Sequence, residues 1–276
     1  MVRMLAAIPT PFGPDGGPDL DAFGAHLQWL LERGLDGVFV GGTTGEGVLL
    51  ESDEVVALVE RAVAVAGGEH VIAQVGRPST AATVALLERA YGAGAARAAA
   101  YVPWFYPAGD DQVRRHFLAL LEAAGGRELL GYTIPRMHVN VLSAAVLGEL
   151  AAAGLAGMKD STGDPNCHRA FVAAVAGRPF RIYTGSDQLV LGAIRTGGYG
   201  AITALAAARP DLLAALGHAL AAEDDQAADR ASAALAAEKD ALAREGTPVT
   251  AIKRRVRAAL AERGVDYPAA PRAPFD

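Results

Sequence analysis

Short apolar runs alternate regularly with longer amphipathic stretches along most of this chain. The apolar runs read as strands at 4–9, 36–41, 70–76, 96–103, 128–135, 155–160, 180–186 and 198–204. Helical patterns follow them at 19–33, 52–66, 79–93, 110–124, 143–153, 165–176, 187–196 and 209–221. Because two consecutive parallel strands need a helical crossover, this order predicts a parallel sheet covered by helices.

The number of units favours a closed sheet. Eight strand–helix units in 276 residues match the size of a (β/α)8 barrel. A doubly wound open sheet is the alternative, but it would usually carry a nucleotide-binding loop after its first strand. That position holds PTPFGPDG (9–16), which is no phosphate loop. We therefore predict an α/β fold, a TIM barrel at 1–221, with a C-terminal helical extension at 222–276 packed on it.

Composition narrows the possible partners. The formal net charge is −6 and no basic stripe is present, which argues against nucleic-acid binding. A single cysteine excludes an internal disulfide and fits a reducing compartment. The six histidines form no H-x-H or H-x-x-x-H pair, so no metal site is expected. No uncharged apolar run approaches the ~20 residues of a membrane span. We predict a cytoplasmic protein without metal, cofactor or membrane partner.

Lys159 is the most informative polar residue. It stands near the end of the sixth strand, after small and apolar residues, and barrel enzymes place their active sites at such ends. One interpretation is a lysine whose amine reaches solvent from the strand end. The other is a nucleophile that forms a Schiff base, for which burial disfavours the charged amine. Asp160 is not expected to be its counter-ion, because adjacent strand residues point to opposite faces.

Two further groups fall at neighbouring strand ends. Tyr132 lies on the fifth strand, where its hydroxyl either shuttles protons or is hydrogen-bonded at the rim of the core. The stretch GGTTGEG (41–47) follows the second strand and is either a turn with a helix cap or an anion-binding nest. A phosphate loop is disfavoured, since no lysine follows the glycines.

Four segments together resemble the dihydrodipicolinate synthase/N-acetylneuraminate lyase family in order and spacing. They are GGTTGEG (41–47), YTIP (132–135), GMKDSTG (157–163) and YTGSD (183–187). The resemblance implies a class I, pyruvate-handling enzyme on a (β/α)8 barrel, with a covalent imine on Lys159 in place of a cofactor. It further implies that Tyr132 shuttles protons and that Thr43 and Thr44, next to Gly42, bind the α-carboxylate.

Two positions depart from the synthase branch of that family. Synthases carry an arginine two residues after the proline of the tyrosine motif, where it grips the carboxylate of the second substrate. Here that position is Met137, and Arg136 is adjacent. Synthases also carry a relay tyrosine after strand four that reaches the neighbouring subunit. Phe105 stands there, and Tyr106 could replace the tyrosine only in a reshaped loop.

Other segments are similar to archaeal-type 2-keto-3-deoxygluconate aldolases, namely YTGSDQLVLGAIRTGGYGAI (183–202) and the tail DYPAAPRAPFD (266–276). On this resemblance Ser161 and Asp187 are candidates for binding substrate hydroxyls. Gly185 and Ile202 complete the predicted substrate-binding set. Asp187 could equally be the N-cap of the seventh helix.

The main hypothesis is a lyase that reversibly cleaves a 2-keto-3-deoxy acid into pyruvate and an aldehyde. The alternatives are a 4-hydroxy-tetrahydrodipicolinate synthase, joining pyruvate and aspartate semialdehyde, or a related dehydratase. A non-catalytic sugar-acid sensor is the alternative of another class. The resemblance also implies a homo-oligomer, a dimer or tetramer, and the aromatic run WFY (104–106) fits packing between subunits.

Overall fold

Eight parallel strands close into one barrel in the computed structural model, which describes residues 2–274. Each strand pairs with the next along the chain, and the ring closes between the first strand and the eighth. The strands are β1 (Arg3–Ala7), β2 (Gly37–Val40), β3 (Val71–Gln74), β4 (Arg97–Tyr101), β5 (Glu128–Thr133), β6 (Gly157–Asp160), β7 (Arg181–Thr184) and β8 (Gly200–Thr203). The predicted TIM barrel is confirmed.

A helix follows every strand, as the sequence predicts. The helices are α1 (Leu20–Glu32), α2 (Ser52–Ala66), α3 (Thr80–Gly92), α4 (Asp110–Ala124), α5 (Ala144–Ala152), α6 (Pro165–Ala174), α7 (Val190–Arg195) and α8 (Pro210–Ala221), then α9 (Asp225–Ala243) and α10 (Pro248–Ala261). Helix α7 is shorter than predicted, because residues 187–189 form a turn and Leu189 is its N-cap. The interpretation of Asp187 as that N-cap is therefore wrong.

Helix starts follow local side-chain chemistry. The Ser79 hydroxyl accepts a hydrogen bond from the N–H of Ala82 at the start of α3. The Asp164 carboxylate accepts from the N–H of Asn166, and Pro165 occupies the first helical position of α6. Each cap satisfies an N–H that has no partner inside its helix, which fixes where the loop above the barrel ends.

Inside the barrel, side chains stack in layers that lead to the mouth. Strand residues alternate between the interior and the helix layer, and a barrel with a shear of 8 takes each layer from alternate strands. The observed register then gives one layer of Phe39, Ala99, Lys159 and Ile202. The next layer towards the mouth contains Ala7, Gln74, Tyr132 and Gly185. Tyr101 lies one layer further out, so polar groups concentrate where the strands end.

The C-terminal segment packs on this barrel. Helix α9 lies along α8 and α7, and Gln188 donates a hydrogen bond to Asp240 of α9 at 3.0 Å. The Tyr267 hydroxyl donates to the carbonyl of Pro9 after β1 at 3.4 Å. The exact division at residue 221 stays a prediction. Within residues 2–274, no helix combines the length and apolar character that crossing a membrane requires.

Candidate active site

Lys159 lies inside the barrel mouth with 3% of its surface exposed. Its Nζ donates a hydrogen bond to the Tyr132 hydroxyl at 3.2 Å and lies 4.4 Å from the ring centroid of Phe39. The chain has three lysines, and in the described part Lys239 and Lys253 form ion pairs whereas Lys159 forms none. The amine therefore faces aromatic rings and a hydroxyl without a counter-ion, an environment that suits a nucleophile.

Asp160 faces the other way, as its strand position predicts. Its carboxylate contacts the His168 Nδ1 at 3.1 Å and accepts hydrogen bonds from the N–H and hydroxyl of Thr162. The second ring nitrogen of His168 contacts the carbonyl of Ala193 at 3.2 Å. These contacts join the end of β6 to α6 and α7, so they hold the Lys159 backbone in place from outside the barrel.

A chain of hydroxyls leads away from the amine. The Tyr132 hydroxyl is shared between Lys159 and the Thr43 hydroxyl, which lies 3.4 Å away. Tyr132 is 1% exposed, and its ring also packs edge-on against Phe39. The structure thus brings Lys159, Tyr132 and Thr43 together, and protons can pass between the amine side and the loop after β2 through two hydroxyls.

The GGTTGEG loop presents backbone N–H groups beside this relay. The N–H groups of Glu46 and Gly47 bond back to the carbonyls of Thr43 and Gly42. In residues 2–274, the N–H groups of Thr43 and Thr44 donate to no protein acceptor. Two free adjacent N–H groups next to a hydroxyl can bind a carboxylate, which agrees with the anion-nest interpretation.

Two glycines make the site sterically possible. A Cβ at Gly47 would lie 1.7 Å from the carbonyl oxygen of Gly41, so only glycine lets this loop fold back on itself. A Cβ at Gly185 would lie 2.0 Å from the Ser161 hydroxyl and 3.2 Å from Cε of Lys159. Gly185 and Ser161 therefore border the lysine side chain directly, at the end of β7 and just after β6.

Glu46 has a role that sequence reasoning missed. It is 7% exposed with φ at 56°, a left-handed backbone that is uncommon for a residue other than glycine. Its carboxylate forms an ion pair with Lys253 of α10 and accepts a hydrogen bond from the N–H of Arg272 at 2.7 Å. The C-terminal segment thus holds the loop that carries Thr43. The available signal was a lone lysine within the apolar stripe of α10.

Two other predicted substrate-binding residues have clear positions. Ile202 is fully buried in the layer of Lys159 and forms part of the floor of the site. The Asp187 carboxylate, 5% exposed, accepts a hydrogen bond from the N–H of Leu205 and lies 3.3 Å from Nζ of Lys239. These contacts give Asp187 a structural role in joining β7 to α9, and its role in substrate binding stays a prediction.

The rim of the mouth is apolar and exposed. Phe105 and Tyr106 are 69% and 77% exposed, and Met137 is 63% exposed. Asn140 ties the two rim loops together, since its amide donates to the carbonyls of Pro103 and Tyr106. Tyr106 therefore lies at the surface and, within the described chain, makes no hydrogen bond to Tyr132.

Tyr101 and Gln74 also belong to the site, although the sequence interpretation did not single them out. The Tyr101 ring stacks on Tyr132 with centroids 4.8 Å apart and an angle of 27°. Burial and the nearby Tyr132 hydroxyl raise the pKa of Tyr101 well above its usual value. Gln74 shares the layer of Tyr132. Strand alternation gives both an inward orientation, but neither residue type is distinctive in a strand.

The described chain contains no group of three or more His, Cys, Asp or Glu side chains arranged to hold a metal ion. The predicted lack of a metal or cofactor stays a prediction. The site supplies the Lys159 amine, two free backbone N–H groups and the hydroxyls of Tyr132, Thr43, Ser161 and Tyr101. That set can form an imine with a keto acid and move protons around it.

Comparison with known proteins points to one family. The model of the Dihydrodipicolinate synthetase family matches residues 1–276. The chain is 32% identical over 274 residues to a 4-hydroxy-tetrahydrodipicolinate synthase of Exiguobacterium sp., covering 99% of this chain and 91% of the relative. It is 35% identical over 211 residues to the enzyme of the same name from Thiobacillus denitrificans, covering 76% and 71%.

Solved structures share the fold. A prophage protein of E. coli K12 from the dihydrodipicolinic acid synthase family, in complex with pyruvate, superposes with a TM-score of 0.92 at 23% identity, covering 100% of this chain and 94% of that one. A 2-keto-3-deoxygluconate aldolase variant of Sulfolobus solfataricus gives a TM-score of 0.86 at 22% identity, covering 99% and 89%. These likenesses extend over the whole barrel.

Proposed function

Because the chain belongs to the dihydrodipicolinate synthetase family, we propose that it is a Schiff-base-forming lyase that reversibly cleaves a 2-keto-3-deoxy acid into pyruvate and an aldehyde. The observation that carries this proposal is the buried amine of Lys159. It has no carboxylate partner in residues 2–274 and donates to the Tyr132 hydroxyl. Lysine is almost never fully buried without an ion pair for the sake of stability, so its burial here favours a role as a covalent nucleophile.

The geometry supports the following steps. The neutral Lys159 amine attacks the keto carbon of the substrate, and loss of water, with Tyr132 moving the proton, gives an iminium ion. Tyr132, relayed by Thr43, then removes the proton of the C4 hydroxyl. The C3–C4 bond breaks, its electron pair enters the iminium to form an enamine, and the aldehyde leaves. Protonation of the enamine at C3 and hydrolysis release pyruvate and the free amine.

The α-carboxylate of the keto acid fits the loop after β2. The free N–H groups of Thr43 and Thr44 can each donate a hydrogen bond to it, while the Thr43 hydroxyl stays in contact with Tyr132. Charge-assisted hydrogen bonds of this kind are the strong ones. They would place the keto carbon over the amine. This half of the site would serve every pyruvate-derived substrate.

A synthase is the second candidate, and the names of the two sequence relatives favour it. The chemistry of the pyruvate half would be the same. Met137 stands where synthases carry the arginine for the second carboxylate, and Arg136 is exposed without an ion pair in the described chain. Losing a charge-assisted contact costs about 1.5–3 kcal/mol, which weighs against aspartate semialdehyde. A dehydratase would use the same imine, and a sensor would not need it.

Trapping tests the proposal. Incubation with pyruvate and borohydride should reduce an imine to a stable adduct on Lys159, located by mass spectrometry of peptides. Because the chain has only three lysines, the position is unambiguous. No adduct would support the sensor.

Pyruvate release from 2-keto-3-deoxygluconate should then exceed the rate of condensation of pyruvate with aspartate semialdehyde. A faster condensation would favour the synthase instead.

We also propose a cytoplasmic homo-oligomer whose contact surface is the rim of the mouth. The rim carries exposed apolar side chains on two loops joined by Asn140, among them Phe105, Val139 and Val141. Exposed apolar clusters of this kind mark protein interfaces.

Light scattering after size exclusion should report a dimer or tetramer, and Val139→Lys should shift it towards a monomer. Leu118→Lys on α4, which also replaces an exposed apolar residue, should leave it unchanged. A monomeric parent chain would contradict the oligomer. Fractionation of cells would test the cytoplasmic location.

A further inference from the structure

Two buried side chains beside Tyr132 have no hydrogen-bond partner in residues 2–274. Gln74 is fully buried, and both the oxygen and the nitrogen of its amide are unpaired. Tyr101 is 1% exposed, and its hydroxyl is unpaired. The great majority of buried polar atoms in proteins are paired, and each unpaired one lowers stability. Three unpaired atoms on one side of a candidate site therefore indicate a function.

Their position is within the site itself. Gln74 ends β3 in the layer of Tyr132, directly above the layer of Lys159, and Tyr101 ends β4 and stacks on the Tyr132 ring. Gly76 keeps the two close together. A Cβ there would lie 2.9 Å from Cδ2 of Tyr101 and 3.0 Å from Nε2 of Gln74. We call this pair, Gln74 and Tyr101, the β3–β4 wall.

The layer above Lys159 leaves room beside this wall. Its other members are Ala7 at the end of β1 and Gly185 just after β7, which are the two smallest residue types. They lie across the barrel from Gln74 and Tyr132. A substrate bound to Lys159 and extending towards the mouth would therefore pass between small residues on one side and polar groups on the other. The β3–β4 wall is placed to contact the carbons beyond the cleaved bond.

The wall is uncharged. The Arg77 guanidinium, which follows β3, donates instead to the carbonyls of Gly47, Gly76 and Leu50. The His138 ring lies 4.8 Å from the Tyr101 ring, and burial lowers the pKa of His138 to about 4, so it is neutral at neutral pH. Arg77 acts on Tyr101 only through the charge of its guanidinium, whose hydrogen bonds go to those carbonyls. The neutral donors and acceptors of the wall suit alcohols.

We propose that Gln74 and Tyr101 form a binding subsite for the hydroxyl groups of the aldehyde half of the substrate. This inference rests on the proposed function, because the imine on Lys159 defines which half approaches the wall. Each hydroxyl that binds there supplies a missing hydrogen-bond partner. The enzyme would thus select polyhydroxylated aldehydes through uncharged contacts, and it would discriminate against aldehydes that lack hydroxyls.

Condensation of pyruvate with two aldehydes tests the subsite. Glyceraldehyde carries two hydroxyls, and propanal is its analogue without them. The readout is the ratio of kcat/KM for glyceraldehyde to that for propanal. Tyr101→Phe, which keeps the stacked ring, and Gln74→Met, which keeps length, should each lower this ratio about tenfold, the scale of one hydrogen bond. Trapping of pyruvate on Lys159 should persist in both.

Tyr91→Phe is the matched control. It also removes a buried tyrosine hydroxyl, but that hydroxyl donates to the carbonyl of Glu128 at 2.9 Å, outside the barrel interior. The control should leave the ratio unchanged and lower the melting temperature. Tyr101→Phe should not lower the melting temperature, because it removes an unpaired group. This difference separates loss of binding from loss of folding.

The outcomes separate the two proposals. An unchanged ratio with pyruvate still trapped overturns the subsite alone. If that unchanged ratio comes with equal losses for both aldehydes, Tyr101 and Gln74 are assigned to the support of Tyr132. A parent chain that traps no pyruvate overturns the proposed function, and the subsite with it. A ratio that falls in both variants but not in Tyr91→Phe supports the subsite.

Discussion

Replacing Lys159 with methionine is expected to lower the rate of cleavage by at least about 10⁴-fold, because the covalent electron sink is lost. Methionine is unbranched and apolar, so it can keep the packing against Phe39 and Tyr132. Lys159 forms no ion pair within residues 2–274, so its removal leaves no buried carboxylate unpaired. The melting temperature should therefore be maintained. Steady-state pyruvate release and thermal melting measure the two effects.

Lys239→Arg is the control for this experiment. It removes another amine but keeps a cation beside the buried Asp187 carboxylate. Activity and the trapped adduct should both survive in it. Lys159→Arg is a second test, since it keeps the positive charge but cannot form an imine, and it should be as inactive as Lys159→Met. Cleavage that persists in either Lys159 variant would contradict covalent catalysis.

The fold could be predicted from the sequence because each strand–helix unit has its own local hydrophobic pattern. An apolar run of strand length, a loop and an amphipathic stretch recur eight times, and local rules predict each of them. The one clear boundary error concerns α7. Asp187 looked like a helix cap there, but Lys239 and the N–H of Leu205 hold its carboxylate instead. Those partners lie far along the chain, where local rules do not reach.

The part of the site that would form the imine could also be predicted from the sequence, for a different reason. A barrel gathers the C-terminal ends of all strands, so Lys159, Tyr132 and the loop at Thr43 had to approach one another once the fold was assigned. The β3–β4 wall was not identified. A glutamine and a tyrosine at strand ends become informative only when their lack of partners is visible. That property depends on packing in three dimensions.

The contact between Glu46 and Lys253 gives the largest expected effect on stability. Lys253 has a fully buried side chain, which also donates to the carbonyl of Ala270 at 2.9 Å. Burial lowers its pKa, and the hydrogen bond to Glu46 offsets part of that shift. Lys253→Met would leave the Glu46 carboxylate buried with the N–H of Arg272 as its remaining partner. Breaking such a pair costs about 3–5 kcal/mol.

The melting temperature of Lys253→Met should therefore fall by about 6–20 °C. Arg263→Met is the control. It breaks an ion pair of 2.7 Å with Glu32 at the surface, where both side chains are 42% exposed, and such pairs contribute at most about 1 kcal/mol. Thermal and urea unfolding of both variants measure the difference. Similar losses in the two variants would mean that the buried pair contributes no more than a surface pair.

The same pair should couple stability to pyruvate binding. Glu46 belongs to the loop that carries the free N–H groups of Thr43 and Thr44, and its backbone is left-handed. Such a backbone is strained and needs support from its surroundings, so we expect the loop to shift when its carboxylate loses Lys253. Lys253→Met should raise the KM for the keto acid more than it lowers kcat.

The double variant Glu46→Gln with Lys253→Met should lose less stability than the sum of the single variants, because neither buried charge remains. Additive losses would show that the two side chains act independently, and an unchanged KM would show that the loop keeps its shape without the Lys253 amine.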